Sequence, residues 1–426
     1  NLWDNIINNA WQSAEPGLLF WDTIINESVA DSYAEQGFKT VSTNPCGEIP
    51  LCPYDSCRLL AINLYSYVDG PFTSEAKFDF EKFRKHARYA QRMMDDIVDL
   101  EIEKIDKILI KIEKDPEDQE IKRTEHNLWS KIKKKCIEGR RLGIGITAEG
   151  DMLAALGLRY GSDEAIEHAV NVHQHLAIEV YSGSVELAKE RGAFPIFDWT
   201  KETNSGFMNR LTKESPELFE KMKKYGRRNI SMLTIAPTGT TSMMTQTTSG
   251  IEPVFNVSYK RKVKINSDES STTASFTDKV GDQWKEYSVF HHHFETWLKA
   301  NKYDIESAKN LPENELAKII AKSPYYRATA NDVDWVSKVK MQGAIQKWID
   351  HSISVTVNLP KTASKKLISD IYFNAWESGC KGITVYRDGS RDGILTNGTS
   401  GIEKEIQSRP NELEADILRF NNNHEK

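Results

Sequence analysis

Cysteine is scarce, with five residues in a chain of 426. So thin a supply excludes a disulfide-built scaffold and points to a reducing compartment, with the cytoplasm as the expected location. No apolar run approaches the roughly 18 residues that a membrane-spanning helix requires. Positive charge is not in excess: 56 Lys and Arg stand against 62 Asp and Glu, a net charge of −6. A general nucleic-acid coat is thereby excluded. The Gly-Lys-Ser/Thr ending of a Walker phosphate loop is missing, and so is any internal repeat. Residue 1 is Asn rather than Met, and residues 1–20 lack the basic start and apolar core of a secretory leader. The chain stops at Asn421-Asn422-Asn423-His424-Glu425-Lys426 with no closing element. Both ends are therefore expected to be cuts in a longer protein.

What is present is an ordinary globular composition, 39% hydrophobic and 28% charged, which excludes wholesale disorder. The length suits two or three domains of about 150 residues, or one α/β barrel with insertions. Trp3, Ile6, Ile7, Ala10 and Trp11 recur at helical spacing until Glu15-Pro16-Gly17 breaks the pattern. Residues 43–53, rich in Pro, Gly and Cys, read as a loop. Strand patterns fall at residues 59–67, 141–147, 229–236, 352–359 and 382–386. Between them lie helical patterns at 78–106, 151–158, 162–191, 334–350 and 363–379. About five strands joined by long helical connections predict a parallel sheet or barrel whose open edges must be covered or closed. Residues 104–135 mix both charge signs and read as a solvated helical insertion. Residues 261–282 are polar and Ser/Thr-rich, the composition of a loop. From residue 397 the chain reads as a polar tail, leaving 1–396 as the folded part.

The densest chemistry is Asn44-Pro45-Cys46-Gly47-Glu48, with Cys52 and Cys57 close behind. In an extended segment Asn44, Cys46 and Glu48 would share one face. An amide could then hold one hydroxyl while a carboxylate takes a proton from another. Three clustered cysteines raise a metal site, but zinc favours tight pairs or pairs with His, so no metal is expected. Cys136 and Cys380 sit in helical patterns without polar neighbours and read as buried structural thiols. A second cluster, Pro237-Thr238-Gly239-Thr240-Thr241, follows a strand and should open a helix, where backbone N–H groups and hydroxyls can hold a phosphate without a Lys. Thr and Ser there would equally serve as caps. Tyr386 lies near the end of the last strand, where a lone Tyr more often packs or hydrogen-bonds than carries electrons. His291-His292-His293 point in different directions if helical, which favours a surface or capping role over a metal.

At these residues the chain resembles the large catalytic subunit of ribonucleotide reductases, and within that family the adenosylcobalamin-dependent, class II ribonucleoside-diphosphate reductases. The resemblance is carried by Asn44-Pro45-Cys46-Gly47-Glu48-Ile49-Pro50 through Ser56-Cys57-Arg58 to Leu64, by Ala236 to Ser242 with Gly250 to Pro253, by Asp350 to Leu359, and by Lys381 to Arg391. It implies an α/β fold: the second half of a ten-stranded barrel, about five parallel strands with helical connections, plus a central finger loop at about 42–57. It implies radical reduction of ribonucleoside diphosphates to deoxyribonucleotides with adenosylcobalamin as cofactor. By position, Cys46 matches the thiyl-radical cysteine and Glu48 the carboxylate that accepts the 3′-hydroxyl proton. Asn44 matches the amide on the sugar hydroxyls, and Cys57 one of the two electron-donating cysteines. Pro237, Thr238, Gly239, Thr240 and Thr241 match the loop around the substrate phosphates. Class I relatives relay a radical through two adjacent tyrosines; here Tyr386 is followed by Arg387, which favours the cobalamin class over a large subunit that needs a metal-radical partner.

The partner of Cys57, the effector loops and the mobile C-terminal cysteine pair have no match in this chain. The implied partners are therefore the upstream half-barrel, in cis or as a separate chain, and a dithiol or thioredoxin-like reductant, with a homodimer as the assembly. A non-catalytic assembly module of the same fold is the alternative from a different class, and intact Asn44, Cys46, Glu48 and Cys57 count against it.

Overall fold

The computed structural model describes residues 1–264, 276–277 and 283–390. The polar tail expected from residue 397 lies outside them. Two compact units divide the described chain, one running to Val257 and resuming at His291, the other spanning Ser258–Phe290.

The first unit is organised by five parallel strands. Leu59–Asn63 pairs with Gly143–Thr147 in the register Leu59↔Gly143 to Asn63↔Thr147. Next comes the segment 231–235, joined by the parallel bridge Ile144↔Leu233 and by bonds from Ile144 N to Met232 O and from Thr234 N to Ile144 O. A further parallel bridge, Ile235↔Ile353, brings in the segment that continues as Thr356–Leu359. That strand pairs with Gly382–Arg387 in the register Thr356↔Thr384 to Leu359↔Arg387. The five strand patterns of the sequence are thus the five strands of the sheet, in order and parallel. The barrel is not closed. Leu18–Leu19 adds antiparallel to Ile383 and Gly382 at one end. At the other, Leu59–Asn63 has a partner on one side only among the described residues.

Glycine lets these strands approach. A Cβ on Gly145 would stand 2.0 Å from the carbonyl oxygen of Thr234. All five residues of Gly143–Thr147 are buried, the signature of a strand covered on both faces. Helices supply that cover. Phe80–Lys114 buries Phe83, Ala87, Ala90, Met94 and Val98 at helical spacing. Asp163–Arg191 packs beside it, started by Ser162, whose side chain accepts from Ala165 N. Residues 104–135 are the outer ends of Phe80–Lys114 and of Gln119–Gly139. Their charges pair along the surface, as in Lys111 with Asp115, while Ile105, Ile112 and Cys136 turn inward. Asp350, fully buried, ties the middle strand: its carboxylate accepts from Met232 N at 2.7 Å, Leu233 N at 2.8 Å and the Tyr181 hydroxyl at 2.7 Å.

The loop expected at 261–282 requires correction at 261–264 and 276–277, and its other residues lie outside the described ones. Ser258–Lys264 and Gln283–Phe290 are antiparallel strands, with Phe276–Thr277 on the far side of the second. Alternation of Tyr, Val and Lys at 259–264 suits a pleated ribbon, and the Ser/Thr content masked it.

Along the one-sided edge, Leu60, Ile62, Tyr67, Tyr89 and Met93 line a hollow of about 430 Å³.

Candidate active site

The segment that carries Asn44, Cys46 and Glu48 is a hairpin rather than an extended run. Ser42–Thr43 pairs with Pro50–Leu51. At its tip Gly47 N donates to Asn44 O at 3.0 Å, and Gly47 takes a φ of 80°, a conformation that glycine adopts without strain. The turn corrects the period-two expectation: Cys46 is exposed at the tip, whereas Glu48 is buried at 2% exposure. Asn44 spends its side-chain oxygen on Ile49 N at 3.0 Å, which leaves its amide N–H groups available. One carboxylate oxygen of Glu48, Oε2, is buried with no partner among the described residues. Burial first, and then the Glu48 charge, push the Cys46 thiol above its ordinary range.

The hairpin is anchored to the strands beneath it. Glu48 O accepts from Ser352 N at 2.9 Å and from Thr234 Oγ1 at 2.8 Å. Pro50 O accepts from Arg141 Nη1 at 3.3 Å. Leu19 lies over the turn, its Cδ2 3.3 Å from where a Cβ of Gly47 would stand.

Cys57 precedes the strand Leu59–Asn63 and is partly exposed. Its Sγ occupies the space left by Gly143, where a Cβ would come within 2.5 Å. Burial pushes the thiol up to about 12 against the opposing pull of Arg141 and Arg58. Cys52 is buried, 3.5 Å from Asp55 Oδ2, and packs with Tyr33, Phe38, Phe194 and Ile230. Cys380 is buried as expected. Cys136 is buried too, but it does have a polar neighbour: Arg58 Nη2 donates to its Sγ at 2.7 Å. That contact spans 78 positions and leaves no local trace in the sequence. Among the described residues no group of three or more His, Cys, Asp or Glu could hold a metal ion.

Pro237 to Thr241 follow the middle strand, and the helix Gly239–Thr245 opens there. Thr238 adopts φ 51° and its hydroxyl is spent internally, 2.8 Å from Gly250 N and 3.0 Å from Thr147 Oγ1. Pro237, Gly239, Thr240 and Thr241 are exposed, and first-turn N–H groups have no acceptor within their helix. Glu252 from the neighbouring loop holds Thr356 N at 2.8 Å and pairs with Lys338. Tyr386 is half-buried opposite Asn358. Arg387, in place of a second Tyr, is buried 4.1 Å over the Trp11 ring and donates to Trp11 O and Lys361 O.

Two groupings were not foreseen. His291 does precede a helix, but its Nε2 lies 2.7 Å from Asp151 Oδ1, and the Tyr325 hydroxyl donates to the same oxygen at 2.8 Å. Burial alone would raise Asp151; His291 beside it outweighs that and holds the carboxyl below its ordinary range. His293 is buried and stacked 3.6 Å over Tyr65 and His291 is partly buried, while His292 alone stays exposed. Arg141 is the second omission: it joins Asp55, Pro50 and His351 at the foot of the hairpin.

Residues 1–386 match the family described as ribonucleotide reductase, barrel domain. A vitamin B12-dependent ribonucleoside-diphosphate reductase of Thermoplasma acidophilum is 32% identical over 97% of this chain and 45% of its own length. One of Mycobacterium tuberculosis is 31% identical over 94% of this chain and 48% of its own length. The chain thus spans about half the length of these relatives. Among solved structures, the class Id ribonucleotide reductase alpha subunit of Actinobacillus ureae superposes with a TM-score of 0.58 at 18% identity, over 91% of this chain and 61% of that one, a likeness of fold. With five parallel strands, an inserted cysteine hairpin and a family match over residues 1–386, the chain belongs to the ribonucleotide reductase barrel-domain family.

Proposed function

We propose that this chain forms the finger-loop half of a catalytic barrel that reduces ribonucleoside diphosphates to 2′-deoxyribonucleoside diphosphates. The observation that carries the reading is that an exposed Cys46 thiol and a buried, unpartnered Glu48 oxygen share one anchored hairpin. A thiol kept from ionising is a poor nucleophile but retains the hydrogen atom that radical chemistry removes.

In this mechanism Cys46, once stripped of its hydrogen atom, takes the 3′ hydrogen of the ribose. Glu48 accepts the 3′-hydroxyl proton at its free oxygen, and the Asn44 amide donates to a sugar hydroxyl. The 2′-hydroxyl leaves as water, with Cys57 and a partner thiol supplying two electrons and closing as a disulfide. The exposed Gly239, Thr240 and Thr241 backbone receives the phosphates, while Thr238 shapes the loop from within. Adenosylcobalamin supplies the radical equivalent when bound. The exposed Cys46 tip suits such a source, and none of the described residues is assigned to hold it. The remaining half-barrel, in cis or as a separate chain, and a dithiol or thioredoxin-like reductant complete the system, assembled as a homodimer. No helix among the described residues is long and apolar enough to cross a membrane.

The test is CDP reduction with adenosylcobalamin and dithiothreitol, with the upstream half-barrel present, comparing the parent chain with Cys46→Ala. Cobalamin-dependent dCDP formation that falls by at least about 10³-fold in Cys46→Ala is expected, as for loss of a group that carries the chemistry. Turnover that survives Cys46→Ala, or that needs a metal-radical subunit in place of cobalamin, would overturn the reading.

A further inference from the structure

The peptide group between Glu48 and Ile49 is held at each of its polar atoms. Its carbonyl oxygen accepts twice, from Ser352 N at 2.9 Å and from Thr234 Oγ1 at 2.8 Å, which uses both lone pairs. Its N–H donates to Asn44 Oδ1 at 3.0 Å. The group is planar, and the Cα of Glu48 lies in that plane. Fixing the plane therefore fixes where the Glu48 side chain leaves the hairpin. At the far end of that side chain Oε2 is buried and has no partner among the described residues.

Of these three bonds, one alone comes from a side chain outside the hairpin. Thr234 is 1% exposed and stands 186 positions away in sequence. Its single hydroxyl proton has two carbonyl oxygens in reach, Glu48 O at 2.8 Å and Ser352 O at 3.2 Å. Ser352 O already accepts from Ile235 N at 3.2 Å, so the bond to Glu48 is the one that the hydroxyl adds.

We infer that Thr234 is a positioning residue for Glu48: its hydroxyl fixes the Glu48–Ile49 peptide plane and so aims the carboxylate at the hydroxyl whose proton it takes. The inference rests on the reading of Glu48 as the proton acceptor. Thr234 acts on direction, through the backbone, and touches neither substrate nor the carboxylate itself. Direction matters because a base works only within hydrogen-bond reach of its proton. A displacement of about 1 Å caused from a distance costs up to about 10²-fold in rate.

The experiment measures kcat and KM for CDP in the parent chain, Thr234→Val and Thr234→Ser, with the upstream half-barrel, adenosylcobalamin and dithiothreitol present. Val keeps the branched shape that a strand favours and loses the hydroxyl; Ser keeps the hydroxyl and loses the branch. Thr234→Val orphans neither carbonyl, since Ser352 N and Ile235 N still donate. The expected result is a kcat lower by about 10–30-fold in Thr234→Val with KM within about twofold, and Thr234→Ser within about threefold of the parent. A merely structural Thr234 gives the reverse order, with Val the better replacement. That order, an unchanged kcat, or a loss confined to KM overturns the inference.

Hydrogen exchange of peptide 44–51 in the same mixtures reads the plane without turnover. It should quicken about tenfold in Thr234→Val, as for one lost hydrogen bond, while the strand Gly382–Arg387 keeps its rate. Hairpin exchange equal to that of the parent overturns the inference as well. A parent that forms no dCDP sinks the reductase reading, and a role in turnover with it. An active parent whose kcat ignores Thr234→Val sinks the inference alone.

Discussion

The backbone N–H of Ser352 donates to the carbonyl oxygen of Glu48 across 2.9 Å. Residues 304 positions apart are joined where the cysteine hairpin lies over the sheet, and the bond runs through backbone, so no side-chain pattern reports it. Thr234 Oγ1 completes the anchor from the adjacent strand, bonding both Glu48 O and Ser352 O.

Thr234→Val removes that hydroxyl and leaves the two carbonyls with one donor fewer. The expected cost is about 1–2 kcal/mol, read as a lower urea midpoint with an unchanged slope. A midpoint equal to that of the parent would mean the hairpin is held without the Thr234 hydroxyl.

Gly145→Ala places a methyl 2.0 Å from Thr234 O, and backbone cannot yield as a side chain can. The middle strands must part, at about 3 kcal/mol or more. Gly239→Ala meets nothing within 4 Å and serves as the matched control, with stability unchanged or raised by up to about 1 kcal/mol. Equal denaturation midpoints for the two variants would refute the close approach of these strands.

Glu149 is fully buried, neither of its oxygens has a partner among the described residues, and His173 Nε2 stands 3.7 Å away. Burial pushes the carboxyl from its ordinary 4.5 up to about 8. Between those values the folded chain keeps a proton that the unfolded chain has released. Stability therefore falls as pH rises through that window, by at most about 1.4 kcal/mol per unit, and levels off above it. Glu149→Gln lacks the term, so its advantage over the parent should widen from pH 5 to pH 8 in urea titrations. His173, pushed down to about 4, adds the opposite trend between about 4 and 6.5, but to both proteins alike. A pH-independent difference would show that Glu149 is solvated.

Much of the sheet was legible because buried parallel strands write themselves as short apolar runs, such as Ile144, Ile146 and Leu142 around two glycines. The hairpin was legible in composition but not in geometry. Alternation assumes an extended chain, and Gly47 in the left-handed region cancels that assumption at one residue. The strands at 258–264 and 283–290 were hidden by their polar content. The network around Arg141 was illegible for another reason. Its partners Pro50, Asp55 and His351 lie 86 to 210 positions away, and long-range pairing of charges has no period. Family motifs carried the residues at Cys46, Glu48 and Cys57, whereas the side chains around them become visible only in the fold.

The one-sided strand Leu59–Asn63 has a practical corollary. Its outer edge, without a strand partner among the described residues, is flanked by Leu59, Tyr89 and Met93, each more than half exposed. Such an edge is a template for any other extended chain, including a copy of itself. For the polypeptide purified by itself, light scattering is expected to rise with concentration below the melting temperature, as such an edge finds other copies. A lysine at position 59 would blunt that edge without touching the cysteine hairpin.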